Sequence, residues 1–447
     1  MRRTPSLVLG CVLAVVSLFG LSGCDWTTYY GDAARSGLLA GGAHVRSATT
    51  AWQSALDGAV YGAPVTGVGS VFVATEHDVV YALDPATGRS KWRTSVGTPV
   101  PRSALPCGNI DPLGITGTPA FDPVTKRVFV VAEVTEAGHV RHRLLGLDSA
   151  TGRVVLSRLV PPPVGDETAH QQRGALLVSG GRVYVPYGGL AGDCGAYVGS
   201  VVSASTTNAT SALSSFHVPT AREGGIWTPP GPTQLPNGNL LVAVGNSEHT
   251  VTSQGYDGGD SVTELTPGLA RVQDFHPSSW AQDNAVDADL GSMGPALVGT
   301  SVVQAGKSGT VYIVDAATLG RQWSRTLTGV SCHAYGGAAV SGSRVYLPCT
   351  TGTLAVDVGA NGAATQRWTV AGPGSPVVYG ATLIVPDPGP GAGAGAGALR
   401  TYDAGSGQAG PVYRVPGTMT RFATPALDLG RAFVGTTTGV VAVTLGS

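Results

Sequence analysis

The sequence predicts an all-β chain: an eight-bladed β-propeller of four-stranded antiparallel blades, its ring closed by an N-terminal strand. Three observations carry this. A hairpin unit recurs along the chain, a four-stranded pattern can be counted eight times, and the last copy lacks a strand that the N-terminus supplies. Composition agrees: 66 Gly and 30 Pro in 447 residues, with 12% charged residues, suit many short strands joined by tight turns. A net charge of −1 gives no electrostatic case for nucleic acid or an anionic surface.

The hairpin is plainest at residues 79–92, V-V-Y-A-L-D-P-A-T-G-R-S-K-W. Four apolar residues suit a buried strand, Asp84 to Gly88 form a tight turn, and a second strand ends in Trp92. The unit returns at 144–153 and 311–323, and in weaker form at 354–368 and 399–407. Such a hairpin cannot bury its own face, so neighbouring copies must stack.

Each copy has an upstream half, in which Pro or Ala opens a strand, a turn follows, and a second apolar strand returns. Examples are Ala63-Pro64-Val65 with Val71-Phe72-Val73, Thr118-Pro119-Ala120 with Val128-Phe129-Val130, and Thr424-Pro425-Ala426 with Ala432-Phe433-Val434. Eight such units of roughly 40–65 residues match propeller blades with loop insertions. The eighth stops at Val440-Val441-Ala442-Val443 without a final strand, and Thr50-Ala51-Trp52-Gln53 is a lone strand ahead of the first blade. Pairing the two closes the ring and removes a free edge. Trp52, Trp92, Trp323 and Trp368 then become packing residues between blades. The run 389–397, G-P-G-A-G-A-G-A-G, reads as a flexible loop in the seventh blade.

The chain divides into residues 1–23 as a signal peptide, 24–48 as tether and lead-in, and 49–447 as propeller. Arg2-Arg3 precede an apolar run at 7–21, too short to span a membrane. Leu21-Ser22-Gly23-Cys24 resembles the lipobox of bacterial lipoproteins. That resemblance implies an acylated Cys24 and a chain held on the extracytoplasmic face of the cell membrane; an ordinary signal peptide with an incidental Cys is the competing reading. Without Cys11 and Cys24, four cysteines remain, which in an exported chain read as two disulfides with three possible pairings. Cys332 and Cys349 flank one strand of a single repeat and pair locally, leaving Cys107 with Cys194 across adjacent repeats. No Cys/His zinc spacing occurs.

Hydrolase and nucleotide readings fail. There is no G-x-S-x-G elbow. Gly306-Lys307-Ser308 imitates the end of a phosphate loop, but Ser301 stands where its first Gly belongs and strands flank the segment.

Two patterns carry a family resemblance over nearly the whole mature chain. Trp26-Thr27-Thr28-Tyr29-Tyr30-Gly31-Asp32, running on to Arg35-Ser36-Gly37, resembles the lead-in of pyrroloquinoline-quinone (PQQ)-type propeller proteins, and the L-D-x-x-T-G hairpin resembles their repeat. The repeat specifies fold more than activity. Between Asp193 and Lys307 the copies degenerate, and further likenesses cluster there. Gly224-Gly225-Ile226-Trp227 is similar to the stretch that sets a Trp against the quinone in PQQ-dependent alcohol dehydrogenases, and Gly245-Asn246 to their calcium-ligand G-N. Asp193 falls where those enzymes carry a calcium carboxylate, Asp287 and Asp289 fall near their catalytic Asp, and Lys307 falls near the cation that contacts the quinone. The resemblance thus implies cofactor contacts at Trp227 and Lys307, metal ligands at Asp193 and Asn246, and a base at Asp287 or Asp289.

Departures exist. No Cys-Cys pair is present, and the chain is shorter than such enzymes. Each residue also has an ordinary role open to it: Trp227 in packing, the carboxylates and Asn246 in Gly-rich turns, Lys307 as a solvated charge. The first expectation is therefore a cofactor-free, lipid-anchored binding or scaffold module for an envelope protein or glycan. The alternative is a PQQ- and Ca²⁺-dependent dehydrogenase of a small alcohol or sugar, working at the mouth of the central channel.

Overall fold

The structure, a computed structural model, describes residues 25–389, 396–428 and 430–447. The signal segment, Cys24 and residues 390–395 of the glycine-rich run lie outside the described residues. The chain is a ring of eight antiparallel sheets, one per repeat. Blade 1 comprises Val65–Gly67, Ser70–Ala74, Val79–Leu83 and Ser90–Ser95, in that order from the hub outward. The others repeat this order; blade 3 gains His170–Gln171, and blade 7 gains Leu38–Leu39, parallel to Val377–Tyr379. The α-helix Trp280–Ala285 is the one α-helix among the described residues.

The seam closes as expected. Ser47–Ala55 runs antiparallel to Gly439–Gly446, with Trp52 opposite Ala442 and Gln53 opposite Val441. Blade 8 is therefore built from both ends of the chain.

The hairpin turn explains its own sequence. Asp84 Oδ1 accepts from the backbone N–H of Ala86 and Thr87 and from the Thr87 hydroxyl, which satisfies the donors of the turn. Gly88 takes φ +71°, and a Cβ there would also lie 2.5 Å from the Trp52 ring. The Trp52 indole donates to the Pro85 carbonyl at 2.9 Å. Trp92 meets the next turn in the same way, through the Ser149 carbonyl and Gly152, and Trp368 meets the turn at Gly405 and Gly407. Each outer-strand Trp thus docks on the following blade's turn. Phe72 and Phe121, with ring centroids 5.7 Å apart, fill the gap between blades 1 and 2 nearer the hub.

The lead-in segment is a plug. The Trp26 N–H donates to the Thr66 hydroxyl in blade 1 and its carbonyl accepts from the Thr66 N–H, and the Thr27 carbonyl accepts from Phe121 in blade 2. Thr28 donates to the Leu176 carbonyl in blade 3, and the Ala33 carbonyl accepts from Gln234 in blade 4. Tyr30 donates to the Gly337 carbonyl in blade 6, the Gly37 carbonyl accepts from Val378 in blade 7, and Tyr29 bonds Thr424 in blade 8. Arg35, 2% exposed, donates to the carbonyls of Pro232, Tyr29 and Leu176 and to Thr28 Oγ1. Burial lowers its pKa to about 10, and four acceptors compensate for the absence of a carboxylate. The hub is closed at this end.

Candidate functional site

Above the plug, a cavity of about 870 Å³ opens at the other end of the hub. In blade after blade, the residue facing it comes just before the residue that touches the plug: Arg173 before Leu176, Trp227 before Pro232, Phe422 before Thr424. The cavity is a well with one mouth.

All six residues singled out in the degenerate region line this well: Asp193, Trp227, Asn246, Asp287, Asp289 and Lys307. Lys307 Nζ lies 2.5 Å from Asp287 Oδ1 and 2.6 Å from Asp289 Oδ2. Asn246 donates its backbone N–H to Asp289 Oδ1 at 2.6 Å and its side-chain amide to Asp287 Oδ1 at 2.8 Å. The two aspartates are not equivalent: the Asp287 side chain is 67% exposed, that of Asp289 8%. Asp289 is therefore the better-held carboxylate.

Its surroundings are built around it. A Cβ on Gly245 would fall 2.4 Å from Asp289 Oδ1, and one on Gly306 2.3 Å from the Asp289 carbonyl oxygen. That carbonyl accepts from the Lys307 backbone N–H, while Leu290 N–H donates to Asp260 Oδ1 at 2.8 Å. Gln304 Nε2 donates to the Leu290 and Met293 carbonyls. Burial raises the Asp289 pKa above the usual carboxylate value, although Lys307 opposes the rise. Burial works against the Lys307 ammonium, but Asp289 and Asp287 outweigh it and hold its pKa above the usual lysine value. Asp260 lies behind the pair, fully buried, its pKa raised by burial.

The remaining wall is aromatic and charged. Trp227 meets Phe422 edge-on with centroids 6.3 Å apart, and Gly188 leaves room for the Trp227 Cβ. Asp193 accepts from the Tyr197 hydroxyl at 2.7 Å. Both disulfides form as paired from the sequence, Cys107–Cys194 and Cys332–Cys349. Neither cysteine of the first bond lines the well, but the bond ties the loop bearing Asn109 and Ile110 to the loop bearing Asp193, and those three residues do. Sequence reasoning missed the wall from the other blades: Tyr61, Arg173, Tyr335, Arg421 and Phe422.

A planar cofactor finds a face in Trp227 and positive charge in Lys307. For a hard cation, Asn246 Oδ1 is the telling atom: it is buried and has no hydrogen-bond partner. Among the described residues, however, no three His, Cys, Asp or Glu side chains gather closely enough to hold a metal ion. The residues fit the quinone and offer the cation a thin donor set.

The architecture defines the class, an eight-bladed β-propeller, and its fold is similar to that of PQQ-type propellers. The family profile described as outer membrane protein assembly factor BamB matches residues 42–217. Among solved structures, quinohemoprotein alcohol dehydrogenase from Comamonas testosteroni superposes with a TM-score of 0.68 at 16% identity, covering 94% of this chain and 80% of that one. BamB from Moraxella catarrhalis gives 0.60 at 15% identity, covering 89% and 99%. A europium-containing methanol dehydrogenase gives 0.69 at 13%, covering 94% and 97%. At such identities the likeness is one of fold. No curated protein sequence matches the chain.

Proposed function

We propose that the well binds a planar quinone cofactor of the PQQ kind and that the chain oxidises a small alcohol or sugar there. One observation carries this reading. Six residues, nominated from separate stretches by their likeness to quinoprotein motifs, line a single cavity, with Asp289 buried against Lys307. A scaffold has no need of that convergence.

When bound, the quinone supplies the acceptor for the electrons leaving the alcohol carbon. Trp227 gives it a flat face, and Asn246 Oδ1, with Asp193 on the same wall, is the oxygen available to an accompanying Ca²⁺. Asp289 takes the hydroxyl proton. Burial raises its pKa, which makes the carboxylate a stronger proton acceptor than an exposed one. Lys307 holds that carboxylate in place and keeps its charged form accessible.

The second reading is the envelope scaffold, binding a protein or glycan on one ring face. The profile match over residues 42–217 and the thin donor set favour it. Under either reading we place the chain outside the cytoplasm, held by a lipid on Cys24. The two disulfides suit an oxidising compartment. Thr66 N–H donates to the Trp26 carbonyl on the plugged side of the ring, so an anchor just ahead of Asp25 leaves the mouth directed away from the membrane.

Native mass spectrometry after incubation with PQQ and Ca²⁺ separates the readings. Stoichiometric uptake, with dye-linked oxidation lost in Asp289→Asn, is expected. No uptake at high ligand excess removes the enzyme and leaves the scaffold.

A further inference from the structure

The half of the well contributed by blades 3, 6 and 8 has a chemistry of its own. The Arg173 guanidinium lies 4.5 Å over the Phe422 ring, and that of Arg421 lies 4.0 Å over Tyr335 and 5.6 Å from Phe422. Neither makes a hydrogen bond or a close ion pair among the described residues; the ring faces are their close contacts, and Glu76 and Tyr61 act on Arg173 at longer range. Thr420, 5% exposed, keeps a buried hydroxyl without a partner, and it too lines the well.

This is not how the fold treats a structural arginine. Arg35 meets four acceptors when it is buried. Arg173 and Arg421 instead spend their faces on rings, which fixes the guanidinium planes and leaves their N–H edges free. Two cations sharing one aromatic ring also repel each other, and an anion between them relieves that. The well is also lined by Asp193, Glu223, Asp287 and Asp289. A ligand with one negative end can lie across the well in one direction only.

We propose that Arg173 and Arg421, with Thr420, form an anion subsite for the carboxylate of an organic acid, so that the well takes hydroxy acids in preference to neutral alcohols or sugars. Carboxylate suits the free edges because guanidinium presents paired donors in its plane. The carboxylate sits on the blade 8 side, and a hydroxyl reaches toward Asp289. The catalytic consequence rests on the quinoprotein reading; the binding does not.

The test is calorimetric titration of the full chain, at low salt, with D-gluconate, with its neutral counterpart D-glucitol, and with inorganic phosphate as a competitor. Gluconate is expected to bind at least tenfold more tightly than glucitol, with phosphate competing. Arg421→Gln and Arg173→Gln should each abolish the preference and leave glucitol binding unchanged. Arg421 is exposed, so its variant remains informative if Arg173→Gln fails to fold. Equal affinity for gluconate and glucitol, no binding of either anion, or a preference that survives Arg421→Gln overturns the proposal. Repeating the titration on PQQ-loaded protein separates the two sources of carboxylate. Retained gluconate binding supports a substrate subsite, and displacement assigns the arginines to the cofactor and overturns it. A chain that takes up no PQQ loses the quinoprotein reading while the gluconate titration still decides the subsite.

Discussion

Asp78 offers the sharpest test of the electrostatics. It sits in the turn between the second and third strands of blade 1, fully buried, with no hydrogen-bond partner for either carboxylate oxygen. Facing it are Glu76, which accepts from Gly114 N–H and the Thr116 hydroxyl, and Glu133, which accepts from Gln172 N–H. Beyond Glu133, His142 lies 3.6 Å from it and 3.3 Å from Glu167. Burial first, then Glu76 and Glu133, push the Asp78 pKa up to about 9, and burial takes Glu76 to about 8. The folded chain therefore holds protons at neutral pH that the unfolded chain releases.

The sign follows. For a carboxyl whose folded pKa is raised, the unfolded state binds fewer protons between the two values, so stability falls as pH rises from about 4 to about 9. At pH 7 the unfolded Asp78 lies about three units above its ordinary value of 3.8, which at ~1.4 kcal/mol per unit costs the fold about 4 kcal/mol. His142 slopes the same way. Burial works against its charge, yet Glu133 and Glu167 raise its pKa to about 9, and the stability this gives, full below pH 6.5, is lost as pH rises through about 9. Asp78→Asn replaces the protonated acid by a neutral isostere that tolerates the positive φ of 56° at this position. Urea unfolding at pH 5, 6, 7 and 8 should give a variant more stable than the parent by up to about 4 kcal/mol at pH 7, the gain shrinking toward acid pH. A variant less stable at pH 7, or a gain independent of pH, refutes the reasoning. The oxygens would then carry some partner other than a proton.

Three further outcomes follow from contacts already given. Gly245→Ala drives a methyl against Asp289 Oδ1 and to 3.3 Å from the Trp227 indole nitrogen, so PQQ uptake in the mass spectrum should fall at least tenfold while the circular dichroism of the sheets stays unchanged. Arg35→Met strands four acceptors in the plug and should cost about 3 kcal/mol in urea unfolding, with the glucitol titration used to see whether the floor of the well has moved. Loss of Cys332–Cys349, which closes a 17-residue separation, should cost about 3 kcal/mol, and loss of Cys107–Cys194, which closes 87, about 5 kcal/mol, measured on the Cys→Ser pairs.

The fold was legible because one short turn performs two tasks. The Asp of D-x-x-T-G caps its own hairpin and the Gly receives the previous blade's Trp, so both the repeat and the ring are written locally. Half of the site was legible for a related reason: G-x-x-W, G-N, D-x-D and the Gly-Lys pair are compact patterns on loops of blades 3 to 5. Arg173, Tyr335 and Phe422 had no such pattern. Their common feature is position, each standing just before the hub strand of its blade, as Trp227 does in W-T-P and Phe422 in F-A-T-P. That position means nothing until the ring closes and the strand starts converge on one mouth. Asp260 and Gln304 were illegible for another reason. Gln304, inside an apolar strand, reads as a flaw, and Asp260, ahead of its strand in a Gly-rich stretch, as an ordinary turn residue, until their partner, the backbone around Leu290, is seen.

The profile described as BamB ends at residue 217, and Trp227, Asn246, Asp287, Asp289 and Lys307 all follow it. The segment after that stretch supplies the aromatic face, the orphaned Asn246 oxygen and the buried carboxylate–ammonium pair. Had this stretch only to complete a ring, its glycines need not leave space for Asp289 on two sides, nor would Gln304 be spent fixing the backbone that follows it. The plug adds to the same argument. A hub sealed by the lead-in segment and open at one mouth makes a poor through-channel and a good well, and buried polar construction around a well is expensive unless something occupies it.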